Sequence, residues 1–246
     1  MKLSLWAVSA FSVLLPWVAW SQIGNITVTS AASFQPGVPP AGSIGTIFCT
    51  GLAVKGVVGA AGVPLTWTLA GVTVSIGGAP APLFAVADLG GYQQINFQVP
   101  LEAKGIPDTG GIPVVVGQNG VQGLATAKVA DIAGEFFRIA GTQLGAFQHG
   151  GDYSLVTSEK PAKAGETIIG YATGLNPASP RVATGQPAPV TPLSYVPQLA
   201  GPGQSGDTTG LIINNSVVLP NRFPYYYSPD ADLPFMGLTP GSVGLY

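Results

Sequence analysis

Charge is scarce in this chain, and this excludes several classes of partner. Asp, Glu, Lys and Arg make up 8% of the 246 residues, whereas an average soluble domain has about 25%. The formal net charge is −2, so the chain lacks the basic surface that nucleic acids require. The glycines are scattered among turn-like segments and form no phosphate-binding loop at the start of a helix. The sequence therefore predicts neither a nucleic-acid partner nor a cofactor.

Cysteine is equally scarce, with one residue in the whole chain. One cysteine cannot form an internal disulfide, so packing alone has to hold the fold together. Cys49 ends a mostly apolar run that begins at Ile44. This position favours a small buried side chain over a reactive or intermolecular thiol.

The chain has one histidine, and any Ser-His-Asp triad would have to use it. His149 is close in sequence to Asp152 and Ser154, but the segment is rich in glycine and no Gly-x-Ser-x-Gly motif is present. These features favour a solvated loop histidine. A zinc site built from His149 and the distant Cys49 is weaker still. We therefore expect no catalytic residues and no metal ligands from this set, and a protein that is not an enzyme.

Long apolar runs are missing except at the N-terminus. Lys2 precedes an apolar stretch at residues 3–18 that is broken by Pro16, and the small residues Ala19 and Ser21 stand before Gln22. This order is typical of a signal peptide at 1–21 that is cleaved before Gln22. The alternative is a membrane anchor, but the run is shorter than the roughly 20 residues that a crossing needs. We expect export to the extracellular space or the cell surface, with no membrane span in the mature chain.

Short apolar runs separated by Gly and Pro are abundant, and they predict an all-β fold. Residues 72–76 alternate apolar and polar, Gly77-Gly78 forms a two-residue turn, and 79–86 returns. In the strand at 93–100, Ile95, Phe97 and Val99 face one way. Further strands are predicted at 26–28, 114–116 and 125–129. Residues 101–104 are the one candidate for a helical turn.

An internal repeat divides the chain. Residues 41–52 recur 123 positions later as residues 164–175, with five of twelve positions identical and with Phe48 and Tyr171 in register. Each copy has a turn at Ala-Gly, an apolar strand, and Thr-Gly-Leu at its end. The glycine after the threonine suits a turn or bulge with positive φ. A second hairpin, 211–213 and 216–219 around Asn214-Asn215, matches the first.

The repeat predicts two tandem immunoglobulin-like β-sandwich modules. The first is at 22–133, a connector follows at 134–160, and the second is at 161–246. The first copy continues from Tyr92 into the strand at 93–100, whereas the second stops at Tyr246 and so lacks at least one C-terminal strand. We favour a truncated fragment. The alternative is completion by another chain, because an open sheet edge is a template for strand pairing.

Seven segments carry a resemblance to a known family. They are Ala-Ala-Ser-Phe (31–34), Pro-Pro-Ala-Gly-Ser-Ile (39–44), Thr-Gly-Leu (50–52), Pro-Ala-Pro-Leu-Phe (80–84), Gln-Ile-Asn-Phe-Gln-Val-Pro (94–100), Tyr-Ala-Thr-Gly-Leu (171–175) and Gly-Leu-Thr-Pro-Gly-Ser-Val-Gly-Leu-Tyr (237–246). The set resembles the uncharacterised C-terminal module of secreted proteins from Solibacter and other Acidobacteria. That family is similar to the IPT/TIG immunoglobulin-like modules of bacterial surface proteins. The resemblance implies a sandwich fold and an extracellular location, and brings no catalytic residues.

Two segments near the C-terminus are candidates for binding. Asp230 and Asp232 could offer oxygen ligands to calcium, although without a surrounding calcium loop a solvated turn is favoured. The densest aromatic segment could stack on a sugar or an aromatic partner, or its alternate members could pack into the core. This possible ligand platform consists of Arg222, Phe223, Tyr225, Tyr226 and Tyr227.

The leader, the repeat and the missing catalytic motifs together predict a non-enzymatic exported or cell-surface protein. It would act as a structural, adhesion or interaction module. One alternative is a carbohydrate-binding module that uses the tyrosines 225–227, and another is the accessory region of a truncated extracellular enzyme. The expected partners are accordingly extracellular proteins or polysaccharides.

Overall fold

Strands are the regular elements of this chain. The computed structural model describes residues 22–105, 110–130, 134–142, 144–175, 178–196, 211–213, 216–218 and 238–245, and this part contains no helix. The predicted all-β class is therefore confirmed. The nine strands before residue 130 are β1 (Gly24–Ser30), β2 (Ile44–Thr50), β3 (Val57–Gly59), β4 (Val72–Ile76), β5 (Ala79–Ala81), β6 (Leu83–Asp88), β7 (Gln93–Gln98), β8 (Gly111–Gln118) and β9 (Val121–Lys128).

These nine strands form two antiparallel sheets. The five-stranded sheet has the order β1-β2-β7-β6-β3, and the four-stranded sheet has the order β5-β4-β8-β9. The strands predicted at 114–116 and 125–129 belong to the longer β8 and β9, although Val129 lies beyond the end of β9. The short edge strand β3 was not predicted, because three residues are too few to show a periodic pattern.

The predicted hairpin after β4 is confirmed, but its return strand is divided. Ile76 pairs with Ala79 across the two-residue turn, as expected. The chain then leaves the four-stranded sheet at Pro82, and β6 joins the five-stranded sheet beside β7. Proline has no N–H to donate to a ladder, which suits a position between two strands. The prediction of one strand at 79–86 was therefore wrong at this residue.

The two sheets bury their facing sides in one core. In β7, Ile95 and Phe97 are fully buried, and Val99 follows them inward as predicted. They meet the inward side chains of the other sheet, which include Val72, Val74, Ile76, Val114 and Val116. Because strand side chains alternate between faces, this core uses one face of each sheet and leaves the other face outside.

Cys49 belongs to the same core, as the sequence predicted. Its side chain is 1% exposed and makes no disulfide. Burial raises the pKa of the thiol to about 11, because a thiolate loses its hydration there. Cys49 therefore acts as a small apolar residue.

The segment between β1 and β2 is hydrogen-bonded to the end of β9. The backbone N–H of Val38 donates to the carbonyl of Lys128 at 2.8 Å, and the N–H of Ala130 donates to the carbonyl of Val38 at 2.9 Å. This places Val38 parallel to Val129 in an isolated bridge. The segment after β1 thus covers the end of the edge strand β9.

The described residues after 130 form three two-stranded antiparallel sheets. Their strands are β10 (Glu135–Phe136), β11 (Phe147–His149), β12 (Ile168–Gly170), β13 (Ala172–Thr173), β14 (Leu211–Ile213) and β15 (Ser216–Val218). The pairs are β10 with β13, β11 with β12, and β14 with β15. β10 and β11 thus lie in the range 134–160 that the sequence assigned to a connector. The domain boundaries themselves stay a prediction.

The backbone confirms the repeat at its glycines. Gly51 and Gly174, each after the shared threonine, have φ angles of 92° and 78°. Gly42 and Gly165, in the Ala-Gly turns, have φ angles of 86° and 79°. The second hairpin also forms, with Ile213 opposite Ser216, while Asn214 and Asn215 lie outside the described residues.

Hydrogen bonds connect the two halves of the chain. The Thr173 hydroxyl oxygen accepts from the N–H of Ile44 at 2.7 Å. The buried Gln98 side chain accepts from the N–H of Gly185 at 2.7 Å, and the carbonyl of Gly185 accepts from the N–H of Leu65 at 2.9 Å. The second half is therefore attached to the end of the five-stranded sheet at which Ile44 pairs with Gln98, in addition to the chain connection.

Three other predictions concern a helical turn at 101–104, the signal peptide and the absence of a membrane span. Residues 101–102 form a turn and 103–104 have no regular structure, so this segment forms no helix. The signal peptide predicted at 1–21 lies outside the described residues. In the part of the chain that is described, we find no helix with the length and apolarity needed to cross a membrane.

The contact between Gly45 and Phe97 gives a test of the core. A Cβ on Gly45 would lie 2.7 Å from Cζ of Phe97, because the two residues pair across β2 and β7. We expect Gly45→Ala to lower the free energy of unfolding by about 1–3 kcal/mol, the usual cost of overpacking a core. Chemical denaturation measures this. Gly59→Ala is the matched control in a strand, since its Cβ would meet nothing closer than 3.9 Å; equal effects of the two changes would contradict the assigned packing.

Candidate functional site

Most of the binding residues predicted from the sequence lie outside the described part of the chain. This holds for the proposed aromatic platform and for the acidic pair after it: Arg222, Phe223, Tyr225, Tyr226, Tyr227, Asp230 and Asp232. The described residues contain no group of three or more His, Cys, Asp or Glu side chains that could hold a metal ion.

His149 is buried, so the prediction of a solvated loop histidine was wrong. The residue is 4% exposed and ends β11, which pairs with β12. Its Nδ1 lies 2.5 Å from Oε1 of Glu166, and its Nε2 lies 3.2 Å from the carbonyl oxygen of Lys160. A carboxylate and a carbonyl can only accept hydrogen bonds, so both bonds form when the ring carries both protons. The ring thus ties two points of the loop between β11 and β12 to the end of β11.

The other two residues of the conceivable triad form a separate exposed cluster. The Ser154 hydroxyl donates to Oδ1 of Asp152 at 2.7 Å, and Nζ of Lys160 donates to Oγ of Ser154 at 2.6 Å. Nζ of Lys160 also lies 2.5 Å from Oδ2 of Asp152. The Lys160 amine, followed by Ser154, holds the pKa of Asp152 well below its usual range.

This cluster does not have the geometry of a nucleophile activated by histidine. In a triad the histidine ring accepts the proton of the serine hydroxyl. Here the Ser154 hydroxyl is directed to Asp152, while the His149 ring is bonded to Glu166 and Lys160. The cluster is therefore a set of ion pairs and hydrogen bonds that orders the loop between β11 and β12.

A different site lies on the outer side of the five-stranded sheet. Three aromatic rings are in contact there: the ring centres of Phe34 and Phe48 are 6.2 Å apart, and those of Phe48 and Tyr92 are 5.9 Å apart. Phe34 is 56% exposed and Tyr92 is 46% exposed. We call these three residues the aromatic face.

Strand alternation explains why Phe48 points outward. Its neighbours Ile47 and Cys49 are buried in the core, so Phe48 in between is directed to the opposite side of β2. Tyr92 stands at the start of β7, after a tight turn in which the N–H of Leu89 donates to the carbonyl of Tyr92 at 2.9 Å. The turn brings the Tyr92 ring beside Phe48.

Phe34 is held in an unusual backbone conformation. Its φ is 60°, in the left-handed region that bulky residues rarely adopt. The N–H of Phe34 donates to the carbonyl of Ser30 at 3.1 Å, and the N–H of Ser30 donates to the carbonyl of Gln35 at 3.0 Å. The loop thus fixes an exposed ring beside Phe48 at a cost in backbone energy, which is a feature often found at binding sites.

Uncharged polar groups surround the rings. A shallow depression of about 280 Å³ is lined by Phe48, Tyr92, Asn25, Cys49 and Thr50. The amide of Asn25 donates to the hydroxyl oxygen of Thr50 at 3.3 Å, and Asn25 has a φ of 51°. The depression is slightly smaller than most small-molecule sites, which have about 300–1,000 Å³.

A row of amides continues this surface across β7. Oδ1 of Asn96 accepts from the Thr46 hydroxyl at 3.0 Å and from Nε2 of Gln94 at 2.9 Å. These bonds use one atom of each amide, so Nδ2 of Asn96 and Oε1 of Gln94 are left for solvent or a ligand. The next residues across the sheet are Ala85 and Ala87, opposite Asn96 and Gln94. Their small side chains keep this part of the surface flat.

Strand alternation in the sequence indicated one residue of this site but did not identify it as a candidate for binding. Phe48 directly precedes Cys49, which was expected to be buried, so alternation along the strand places Phe48 outside. Phe34 and Tyr92, however, come from loops, and their closeness to Phe48 follows from the folded chain. Comparison with protein-family models, with curated proteins and with solved structures found no match.

The bond between His149 and Glu166 predicts a loss of local order in acid. The N–H of Lys163, followed by His149, lowers the pKa of Glu166. A carboxylate with a lowered pKa stabilises the fold above its unfolded pKa of about 4.3, and this contribution is lost as the pH falls through the folded pKa. We expect the hydrogen-exchange protection of the His149 and Gly150 amides to fall between about pH 6 and about pH 3.

Glu166→Gln should lower the same protection already at neutral pH and should remove most of its pH dependence. Glu159→Gln is the matched control, because Glu159 bonds to the adjacent Ser158 and does not connect two segments. Protection that stays constant from neutral to acid pH in the unmodified protein would show that this ion pair does not order the loop.

Proposed function

We propose that this protein is a non-enzymatic exported module that binds an extracellular partner through the aromatic face. The observation that carries the proposal is a cluster of three rings, exposed at Phe34 and Tyr92 and half-buried at Phe48, on a sheet whose other side is used in the core. Contiguous exposed rings of this kind are a feature of interaction sites on protein surfaces. The leader predicted at 1–21 supports an extracellular or cell-surface location, and the bacterial resemblance agrees with it.

We propose further that the first module is an immunoglobulin-like sandwich. The strand order β1-β2-β7-β6 corresponds to A-B-E-D of that fold, and β4-β8-β9 corresponds to C-F-G. The bridge between Val38 and Val129 also fits, since it joins the first strand region to the last strand. An IPT/TIG-like module would have this architecture.

The repeat supports a second module of the same kind. β10 pairs with β13 as β1 pairs with β2, and β14 pairs with β15 as β4 pairs with β5. On this proposal the second module begins at β10, so the connector is shorter than the range 134–160.

The absence of a catalytic role is part of the proposal. Its support is that the side chains best suited to catalysis are engaged with each other: His149 with Glu166, and Ser154 with Asp152 and Lys160. Such closed pairs order a loop and offer no free base beside a nucleophile.

Adsorption of the purified chain 22–246 to an acidobacterial cell-envelope and extracellular-polymer fraction tests the binding function. We expect the protein to sediment with this fraction. The double variant Phe34→Ala/Tyr92→Ala should bind at least about tenfold more weakly, which corresponds to a loss of about 1.4 kcal/mol of binding free energy from two exposed side chains. Leu124→Ala/Leu144→Ala is the control, because these two side chains are 75% and 65% exposed and do not belong to the aromatic face.

Equal sedimentation of the double variant and the unmodified protein would remove the aromatic face from the function. Turnover of ester or glycoside substrates by the purified chain, lost on changing Ser154 or Asp152, would contradict the non-enzymatic assignment.

A further inference from the structure

We propose that the aromatic face binds a single chain of a neutral polysaccharide, which rests on the binding function proposed for this face. Sugar rings have an apolar face of C–H groups and an edge of hydroxyl groups. The aromatic face supplies a matching pair of features: exposed ring surfaces, and uncharged amide and hydroxyl groups directly beside them.

The absence of charge selects the class of sugar. All five residues that line the depression between Phe48 and Tyr92 are uncharged: Phe48, Tyr92, Asn25, Cys49 and Thr50. Binding of an acidic polymer would require cationic side chains to offset the loss of its hydration. A neutral polymer needs only hydrogen bonds, which amides can both donate and accept.

The polar groups also favour a sugar over a protein surface. Nδ2 of Asn96 and Oε1 of Gln94 would lose water beneath any ligand that covers the face. Each such amide atom costs free energy when it is buried without a partner. A protein would have to supply a matching group at each position, whereas each sugar hydroxyl is a donor and an acceptor at once.

The angles between the rings select the form of the polysaccharide. The Phe34 and Phe48 rings are inclined at 38° to each other, and the Phe48 and Tyr92 rings at 63°. Coplanar rings would suit the flat face of a crystalline polysaccharide. Rings that turn by these angles suit one twisted chain, with successive sugar units stacked on successive rings 6.2 Å and 5.9 Å apart.

The arrangement is preorganised. Phe34 is fixed by backbone bonds in its loop, and Asn25 and Phe34 both have a positive φ. The strand register of β1 with β2 shifts between Gly24 and Thr27, and such bulges redirect side chains beside binding sites. A ligand therefore does not have to order these groups, which lowers the entropic cost of binding.

Affinity electrophoresis of the chain 22–246 tests the ligand class. The probes are soluble mixed-linkage β-glucan and galactomannan as neutral chains, polygalacturonate as an acidic chain, and microcrystalline cellulose as an adsorbent. We expect retardation by at least one neutral chain, no retardation by polygalacturonate and no adsorption to cellulose. Phe34→Ala and Asn25→Ala should each reduce the association constant about tenfold, while Leu124→Ala should not change it.

Failure of retardation in both neutral chains overturns the inference, and so does equal retardation of Phe34→Ala and the unmodified protein. Thermal unfolding of each variant shows that the change is not a loss of fold. Adsorption to the envelope fraction distinguishes a failure of the polysaccharide inference from a failure of the proposed binding function. Adsorption that survives periodate oxidation of the fraction but is lost after protease treatment would leave the aromatic face as a binding surface, with a protein as its ligand.

Discussion

The register between β2 and β7 determines most of the properties of this structure. It places Ile47 opposite Ile95 and Gly45 opposite Phe97. The two isoleucine side chains pack on the inward side of the five-stranded sheet, and Gly45, which has no side chain, leaves room for the Phe97 ring. The same register sets Phe48 beside Gln94 and Thr46 beside Asn96 on the outer side. A slip by one residue would exchange the two faces. Core and candidate site are therefore consequences of one pairing.

This arrangement gives a physical reason for the proposed binding role. Burial in the core raises the pKa of the single cysteine. The ring of the single histidine is bonded to Glu166 and to the carbonyl of Lys160. Charge is scarce, and the charged side chains that are close together at residues 152–166 bond to each other. Within the described part of the chain, uncharged rings and amides on the outer side of the five-stranded sheet are the groups that we propose to meet a partner.

Alternation and turn chemistry made much of the fold predictable. The hairpin at Gly77-Gly78, the inward side of β7, the buried Cys49 and the repeated glycines were all evident from local pattern, because each depends on residues close in sequence. The change of sheet at Pro82, the edge strand β3 and the burial of His149 depend on which strands become neighbours, and no local pattern contains that information. The aromatic face was missed for the same reason, since Phe34, Phe48 and Tyr92 meet only after β1, β2 and β7 pair. The aromatic segment that the sequence favoured, 222–227, lies outside the described residues.

Thiol reactivity along β2 tests the central claim, the separation of one buried and one exposed face. We expect natural Cys49 to react slowly with a thiol reagent until the protein is unfolded. In a Cys49→Ala background, Phe48→Cys and Thr50→Cys should instead react in the folded protein much faster than Cys49 does. If Cys49 reacted as fast as the thiols at 48 and 50 in the folded state, the assigned faces, and the candidate site with them, would be contradicted.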